Sequence, residues 1–250
     1  MVVIRTSREL ALMREAGRIS ANALKLAGEA VEPGVSTLEI DTIVRKYIEK
    51  EGAIPSFLGY GGFPASACIS VNDVVIHGIP SKKCILKEGD IVSVDVGAFI
   101  DGFHGDNAYT FPCGKISAEA QALLKATEES LYEGIKAAVA GNRIGDIGHA
   151  VQKYVEDRSY SVVRDFVGHG VGAKLHEDPA VPNYGTPGRG VRLMPGMTIA
   201  IEPMITAGDY KVKVIDDDWT TITVDGSLAA HFEHTVAITP DGPKILTIPD

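Results

Sequence analysis

The chain has 250 residues, 45% of them hydrophobic, and a formal net charge of −9. This length and hydrophobic content suffice for one large domain, or for two fused halves, with a full buried core. The acidic excess argues against broad affinity for nucleic-acid phosphates, and no apolar run approaches the roughly 18 residues that span a bilayer. We therefore expect a globular protein that binds neither membranes nor specific nucleic acids.

The cysteines and the first residues of the sequence indicate the compartment. Three cysteines, Cys68, Cys84 and Cys113, lack the CxxC spacing of a metal or redox motif. An odd number without such spacing suits a reducing environment better than a disulfide framework. A capped helix pattern begins within the first ten residues, where a signal peptide would otherwise lie. We therefore expect a cytoplasmic protein.

Two helices open the chain. Thr6 and Glu9 form a T-x-x-E capping box, which predicts a helix that runs to about Val31. Ser36 and Glu39 form a second box. The following helix has an apolar stripe at helical spacing: Ile40, Ile43, Val44, Tyr47 and Ile48.

A β-hairpin is predicted over residues 91–111. The Asp-Gly pair at 101–102 is typical of a type I′ turn, in which both central residues need positive φ. A two-residue loop would place Asp95 opposite Ala108. Because side chains alternate between faces, Asp95 and Asp106 would share one face, roughly 7–8 Å apart at the backbone. The other face would be apolar: Val92, Val94, Val96 and Ile100.

Two carboxylates on one face of an apolar hairpin allow two interpretations. They are surface aspartates of a half-solvated sheet, or they are buried and must be neutralised. Burying an unpaired carboxylate costs several kcal/mol, so a buried pair needs protons or cations.

The helix order then repeats. Helices are predicted at about 117–140 and 146–157, and an offset of 107 residues matches Gly34 with Gly141 at the helix breaks. Chance similarity of helix composition is the alternative to an internal duplication. The duplication predicts an α+β fold, with one domain over residues 1–250 made of two similar halves, about 1–113 and 114–250, around a shared antiparallel sheet. Further identical pairs are Ile40 and Ile147, Val44 and Val151, Lys46 and Lys153, Tyr47 and Tyr154, and Glu49 and Glu156.

The second half holds further candidate functional residues. His169 and His176 lie in GHGVGAKLHEDP, Glu202 in IAIEPMI and Glu233 in HFEHTVAIT. Both glutamates lie among apolar neighbours, where an unpaired carboxylate is costly. Gly168, Gly170 and Ala173 match a dinucleotide-binding fingerprint, which we reject because no acidic residue follows at the expected distance of about 20 residues and no βαβ repeat surrounds it. Histidines without a partner pattern are interpreted as surface or structural: His104, His149 and His231.

The acidic and imidazole candidates together predict a metal centre. One imidazole with several carboxylates favours divalent Mn, Fe, Co or Zn over a thiolate-bound structural zinc. Four carboxylates exceed the needs of one ion, and a pair of ions suits hydrolysis. The candidate ligands are Asp95, Asp106, His169, Glu202 and Glu233.

Five sequence blocks, in order, resemble the type I methionine aminopeptidases across nearly the whole chain. The blocks are SVNDVVIHGIP, VDVGAFIDGFHGD, GHGVGAKLHEDP, IEPM and FEHTVAIT. The resemblance implies the pita-bread fold, a pseudo-twofold antiparallel sheet with two helix pairs on one face. It also implies removal of the initiator methionine from nascent chains with a small second residue, by a monomer in transient contact with the ribosome.

The resemblance further implies roles for single residues. Two divalent metal ions, Co, Mn, Fe, Zn or Ni, would be held by the five candidate ligands, with Asp106 and Glu233 bridging. Glu202 matches the general base of water attack, His176 the residue that stabilises the oxyanion, and His77 the one that contacts the scissile amide nitrogen. The positions that match the pocket for the methionine side chain are Tyr60, Phe63, Cys68, Leu175 and Trp219.

Two alternatives stay open. A proline-directed aminopeptidase or dipeptidase of the same fold would use the same ligands. A catalytically inactive pita-bread protein would only bind peptides, although such a protein loses ligands that this chain retains.

Overall fold

The computed structural model describes residues 2–250 as four α-helices and fifteen strands. None of these helices is long and apolar enough to cross a membrane. The helices are α1 (Ser7–Glu29), α2 (Thr37–Lys50), α3 (Ala118–Ala137) and α4 (Ile144–Glu156). The first strands are β1 (Ile54–Pro55), β2 (Ala67–Val71), β3 (Val74–Ile76), β4 (Ile91–Ile100) and β5 (Phe103–Pro112). The later strands are β6 (Ser161–Val162), β7 (Gly168–Gly170), β8 (Glu177–Val181), β9 (Thr198–Ile201), β10 (Met204–Thr206), β11 (Val212–Val214), β12 (Thr221–Thr223), β13 (Ala229–His231), β14 (Glu233–Thr239) and β15 (Gly242–Ile245).

One large sheet connects the two halves of the chain. Its main path runs β1-β4-β5-β14-β9-β7-β8, with β2 paired to β4 and β15 to β14. Two three-stranded sheets, β13-β10-β6 and β11-β12-β3, complete the structure. Every strand pair in the described chain is antiparallel, so the predicted α+β class is confirmed.

The helix ends follow local hydrogen bonding. Both predicted capping boxes form, at Thr6 and at Ser36. Helix α3 ends earlier than predicted, at Ala137, because the side-chain Nδ2 of Asn142 donates a hydrogen bond to the carbonyl of Ala137, at 2.9 Å. Helix α4 begins two residues before the predicted Asp146, whose carboxylate accepts from an N–H group one turn earlier. The acidic residue therefore caps the helix from within its first turn.

The hairpin has the predicted register. Asp95 pairs with Ala108, and Asp101 and Gly102 at the turn have φ of 51° and 85°. Its valine face packs against helices α1 and α2 in one hydrophobic core. Asp95 and Asp106 therefore lie on the other face of the sheet, away from these helices. That core includes Ile19, Leu24, Ile40, Val44, Ile48, Val92, Val94 and Val96.

Candidate metal centre

The hairpin, which is part of the large sheet, holds Asp95 and Asp106 on one face. Strands β4 and β5 pair without a break over ten residues each. The hydroxyl of Thr235, on the neighbouring strand β14, forms two hydrogen bonds with the backbone of Asp106. It accepts from the N–H at 3.1 Å and donates to the carbonyl at 2.8 Å. Both carboxylates line the same pocket.

The two glutamates lie where a pair of strands passes from one sheet to another. Strands β9 and β14 pair in the large sheet, and their continuations β10 and β13 pair in a smaller one. Between the two sheets, one strand is interrupted at Glu202-Pro203 and the other at Phe232. The two interruptions lie side by side, because Phe232 N donates a hydrogen bond to Pro203 O. Glu202 and Glu233 meet at this break.

His169 lies between two glycines because the neighbouring strands approach closely. A Cβ on Gly168 would lie 2.4 Å from the carbonyl oxygen of Ala200, and one on Gly170 would lie 2.3 Å from that of Asp178. Both glycines are therefore required for strand packing, which explains the dinucleotide-like pattern without a dinucleotide.

The acidic groups converge on His169. Its Nε2 lies 3.5 Å from Glu202 Oε1 and 3.8 Å from Asp106 Oδ2. Donor atoms of Asp106, His169 and Glu233 all lie within 4.8 Å of one another. His169 Nδ1 lies 2.9 Å from the carbonyl of Gly170, which can only accept, so Nδ1 carries the hydrogen and Nε2 presents a lone pair.

The carboxylates need a counter-charge. Oδ1 of Asp95, Oδ1 of Asp106 and Oε1 of Glu233 are buried without a hydrogen-bond partner. Burial raises the pKa of Asp106 to about 7. Burial, with the neighbouring carboxylates, raises the pKa values of Asp95, Glu202 and Glu233 well above their usual range. Orphaned buried oxygens beside a neutral imidazole lone pair fit divalent cations, which would replace the protons.

Two further histidines face the pocket. His176 Nδ1 lies 2.8 Å from the hydroxyl of Tyr60, and its ring lies 4.1 Å from that of His169 between centroids. His77 has a φ of 58° and packs edge-on against Phe166 and Trp219. Burial lowers the pKa of both imidazoles, that of His77 to about 4. Both rings are therefore neutral at physiological pH.

An apolar cluster lies beside the acidic group. Phe63, Cys68 and Leu175 are almost fully buried, and Trp219 packs edge-on against Phe63 with centroids 5.2 Å apart. Strand pairing places Cys68 directly opposite Asp95. Charged and apolar walls therefore meet in one pocket.

All twelve residues singled out from the sequence line this pocket. Four more line it that the sequence analysis did not name: Phe57, Ile76, Phe166 and Val167. His231, interpreted from the sequence as a surface or structural residue, is buried beside the site. It is fully buried, and its Nε2 lies 3.6 Å from Glu202 Oε2. His231 ends β13 and Glu233 begins β14, so only Phe232 separates His231 from a candidate ligand in the chain.

A family comparison identifies this type of site. The model of metallopeptidase family M24 matches residues 11–240. The chain belongs to metallopeptidase family M24. Membership of a metallopeptidase family agrees with the buried set of possible metal ligands.

Close relatives within M24 cover the whole chain. A curated methionine aminopeptidase from Clostridium acetobutylicum is 55% identical over 248 residues, which are 99% of each chain. The crystal structure of a methionine aminopeptidase from Thermotoga maritima superposes with a TM-score of 0.97 at 48% identity, covering 99% of both chains. The predicted pita-bread fold is thereby confirmed.

More distant M24 structures share the fold alone. An Xaa-Pro dipeptidase from Bacillus anthracis matches with a TM-score of 0.79 at 23% identity. The match covers 98% of this chain but 61% of the dipeptidase. Fold similarity therefore does not separate the two kinds of peptidase, and the pocket must do so.

Proposed function

We propose that this chain removes the N-terminal initiator methionine from nascent proteins and peptides with a small second residue. The observation that carries the proposal is one pocket in which four buried carboxylates and His169 lie beside an apolar cluster. Identity of 55% to a curated methionine aminopeptidase over nearly the full chain supports the same activity.

Two divalent ions, from among Co, Mn, Fe, Zn and Ni, suit the charge of the centre. Four ionised carboxylates carry four negative charges, which two divalent cations balance. Asp106 and Glu233 would bridge the ions, with Asp95, His169 and Glu202 completing the set. When bound, such ions polarise a carbonyl and make water acidic enough to attack at neutral pH.

Three side chains would perform the proton transfers and hydrogen bonding. Glu202 takes a proton from the attacking water as the new C–O bond forms, and returns it to the amine as the C–N bond breaks. Tyr60, whose hydroxyl lies 2.8 Å from His176 Nδ1, would donate to that nitrogen and so leave His176 Nε2–H to donate to the oxygen of the tetrahedral intermediate. His77, which also lines the pocket, would contact the scissile amide nitrogen.

The apolar cluster would hold the methionine side chain. Phe63, Cys68, Leu175 and Trp219, with Tyr60 at the rim, offer aromatic edges and sulfur to an unbranched thioether. Each sulfur-aromatic contact contributes roughly 0.3–1.5 kcal/mol. A long unbranched side chain such as that of methionine fits this cluster, so the pocket favours methionine at the first position of the substrate.

Peptide hydrolysis tests the assignment. The metal-loaded protein should release methionine from Met-Ala-Ser and Met-Gly-Ser, but not from Met-Lys-Ser, and should lose this activity after chelation. Preferential cleavage of Xaa-Pro dipeptides would support the dipeptidase alternative. Binding of Met-Ala-Ser without cleavage, in protein shown to contain metal, would support the inactive peptide-binding alternative.

The proposed substrate also implies a location and a partner. A cytoplasmic monomer in transient contact with the ribosome would meet N-terminal methionines as chains emerge. Co-sedimentation with ribosomes at low salt, lost at high salt, is the expected result. No co-sedimentation at low salt would contradict this part of the proposal.

A further inference from the structure

His231 is held in place by its backbone. Its N–H donates to Thr110 Oγ1 at 2.9 Å, and the same hydroxyl donates to its carbonyl at 2.8 Å. Ser93 lies 2.8 Å from Thr110 and donates to it, since the hydrogen of Thr110 is already used. The regular hairpin therefore fixes His231 at the end of β13.

The ring of His231 faces one oxygen of Glu202. Its Nε2 is buried without a hydrogen-bond partner and lies 3.6 Å from Glu202 Oε2. The other oxygen, Oε1, lies 3.5 Å from His169 Nε2. The two oxygens of Glu202 thus face two different imidazoles, of which only His169 has its Nδ1 bonded to a backbone carbonyl.

We propose that His231 is a positioning residue for Glu202: in the metal-loaded protein its Nε2–H donates to Glu202 Oε2. The gap of 3.6 Å exceeds a hydrogen bond by a few tenths of an ångström, which a small rotation of the carboxylate closes. This hydrogen bond leaves Oε1, on the side of His169, for the metal centre and for the proton of the attacking water.

The inference rests on the proposed function, because it assumes that Glu202 belongs to a metal centre. It adds a hydrogen bond to one of the ligands, of the kind that orients metal-bound carboxylates in other proteins. Loss of such a partner typically costs 10–100-fold in metal affinity.

Three substitutions separate the hydrogen bond from side-chain size. His231→Gln places an amide nitrogen near the position of Nε2, whereas His231→Asn places it near Nδ1 and cannot reach Glu202. His231→Leu has no donor. His234→Asn is a matched control, since His234 is a partly buried histidine of the same segment whose Nδ1 lies 2.9 Å from the hydroxyl of Thr247 instead.

Isothermal titration of the metal-free full chain with Co²⁺ alone is the experiment. We expect the Asn and Leu variants to lose about 10–100-fold in affinity, the Gln variant to retain most of it, and the His234 control to match wild type. Equal Co²⁺ affinities of the His231→Gln and His231→Asn variants would overturn the proposal. The comparison of these two variants remains decisive even if His231→Leu fails to fold. Thermal unfolding of the metal-free variants checks that the fold is retained.

X-ray absorption on the Co²⁺ form tests direct ligation. The proposal predicts the same number of imidazole ligands in wild type and in the Gln variant, whereas the loss of one would show that His231 binds the metal itself and overturn it. Failure of the proposed function gives a different pattern. Wild-type protein that binds Co²⁺ but leaves Met-Ala-Ser uncut would refute the peptidase activity, while the affinity series still decides the role of His231.

Discussion

Two regions of the sheet bring carboxylates to the same pocket in different ways. Strands β4 and β5 form an unbroken hairpin, and their register alone places Asp95 and Asp106 on one face. The region around Glu202 and Glu233 is interrupted, because its two strands change sheets there. A regular hairpin thus fixes two carboxylates by register alone, whereas a break in strand pairing allows further side chains to reach the same pocket.

The largest expected effect lies in the interrupted region. Glu202→Gln keeps the size of the side chain but removes the proposed base, so kcat should fall by about 10²–10⁴-fold while Met-Ala-Ser still binds. Steady-state kinetics and peptide titration of the Co²⁺-loaded protein measure the two effects. Wild-type turnover in this variant would remove the assigned role, and a metal determination is the control for ligand loss.

Asp95→Asn tests the regular region. It removes one buried carboxyl group, so Co²⁺ affinity should fall by about 100-fold or more, whereas the metal-free protein should unfold at the same temperature or higher, because a buried acid with a raised pKa costs stability at neutral pH. Val94→Ala changes a buried residue on the opposite face of the same strand. It should lower the free energy of unfolding by about 2 kcal/mol and leave the Co²⁺ affinity unchanged. Titration calorimetry and thermal unfolding measure both. Equal effects of the two changes would contradict the division of the hairpin into two faces.

The same comparison explains what the sequence could predict. The Asp-Gly turn and the alternation of side chains predicted that Asp95 faces Ala108, because both rules are local. Capping residues likewise predicted the start of α1 and α2. The contact of His231 with Glu202 could not be predicted, because it depends on the pairing of β10 with β13 after both strands have left the large sheet.

The predictions for the pocket residues had a different basis. Tyr60, Phe63 and Trp219 are separated in the chain and come from irregular segments, so no periodicity brings them together. Their placement in one pocket was expected only from the resemblance of sequence blocks. The hydrogen bond between Tyr60 and His176 was not foreseen even so, since it requires two loops to meet.

Metal affinity should depend on pH through the carboxylates. Below their raised pKa values, about 7 for Asp106, an incoming cation must displace protons, so Co²⁺ affinity should rise with pH by up to about tenfold per pH unit for each proton. His169 contributes no slope between about pH 5 and 7, because burial lowers its pKa to about 3. Calorimetry in buffers of different ionisation enthalpy measures the protons released. Affinity that does not change with pH would contradict the burial of these groups as neutral acids.

The smallest expected effect is at Tyr60. Tyr60→Phe removes the hydroxyl that orients His176 but keeps the aromatic ring, so kcat should fall by about twofold to tenfold, the value of one hydrogen bond. KM and Co²⁺ affinity should stay unchanged. A large rise in KM with unchanged kcat would show instead that Tyr60 acts mainly in holding the methionine side chain.

The central claim is that side chains from both regions share the same cations. An anomalous-difference map from crystals of the Co²⁺-loaded protein, recorded at the cobalt edge, tests it directly. The account predicts two neighbouring peaks in the pocket, each within bonding distance of both Asp106 and Glu233. Peaks elsewhere, or none in this pocket at saturating Co²⁺, would contradict it.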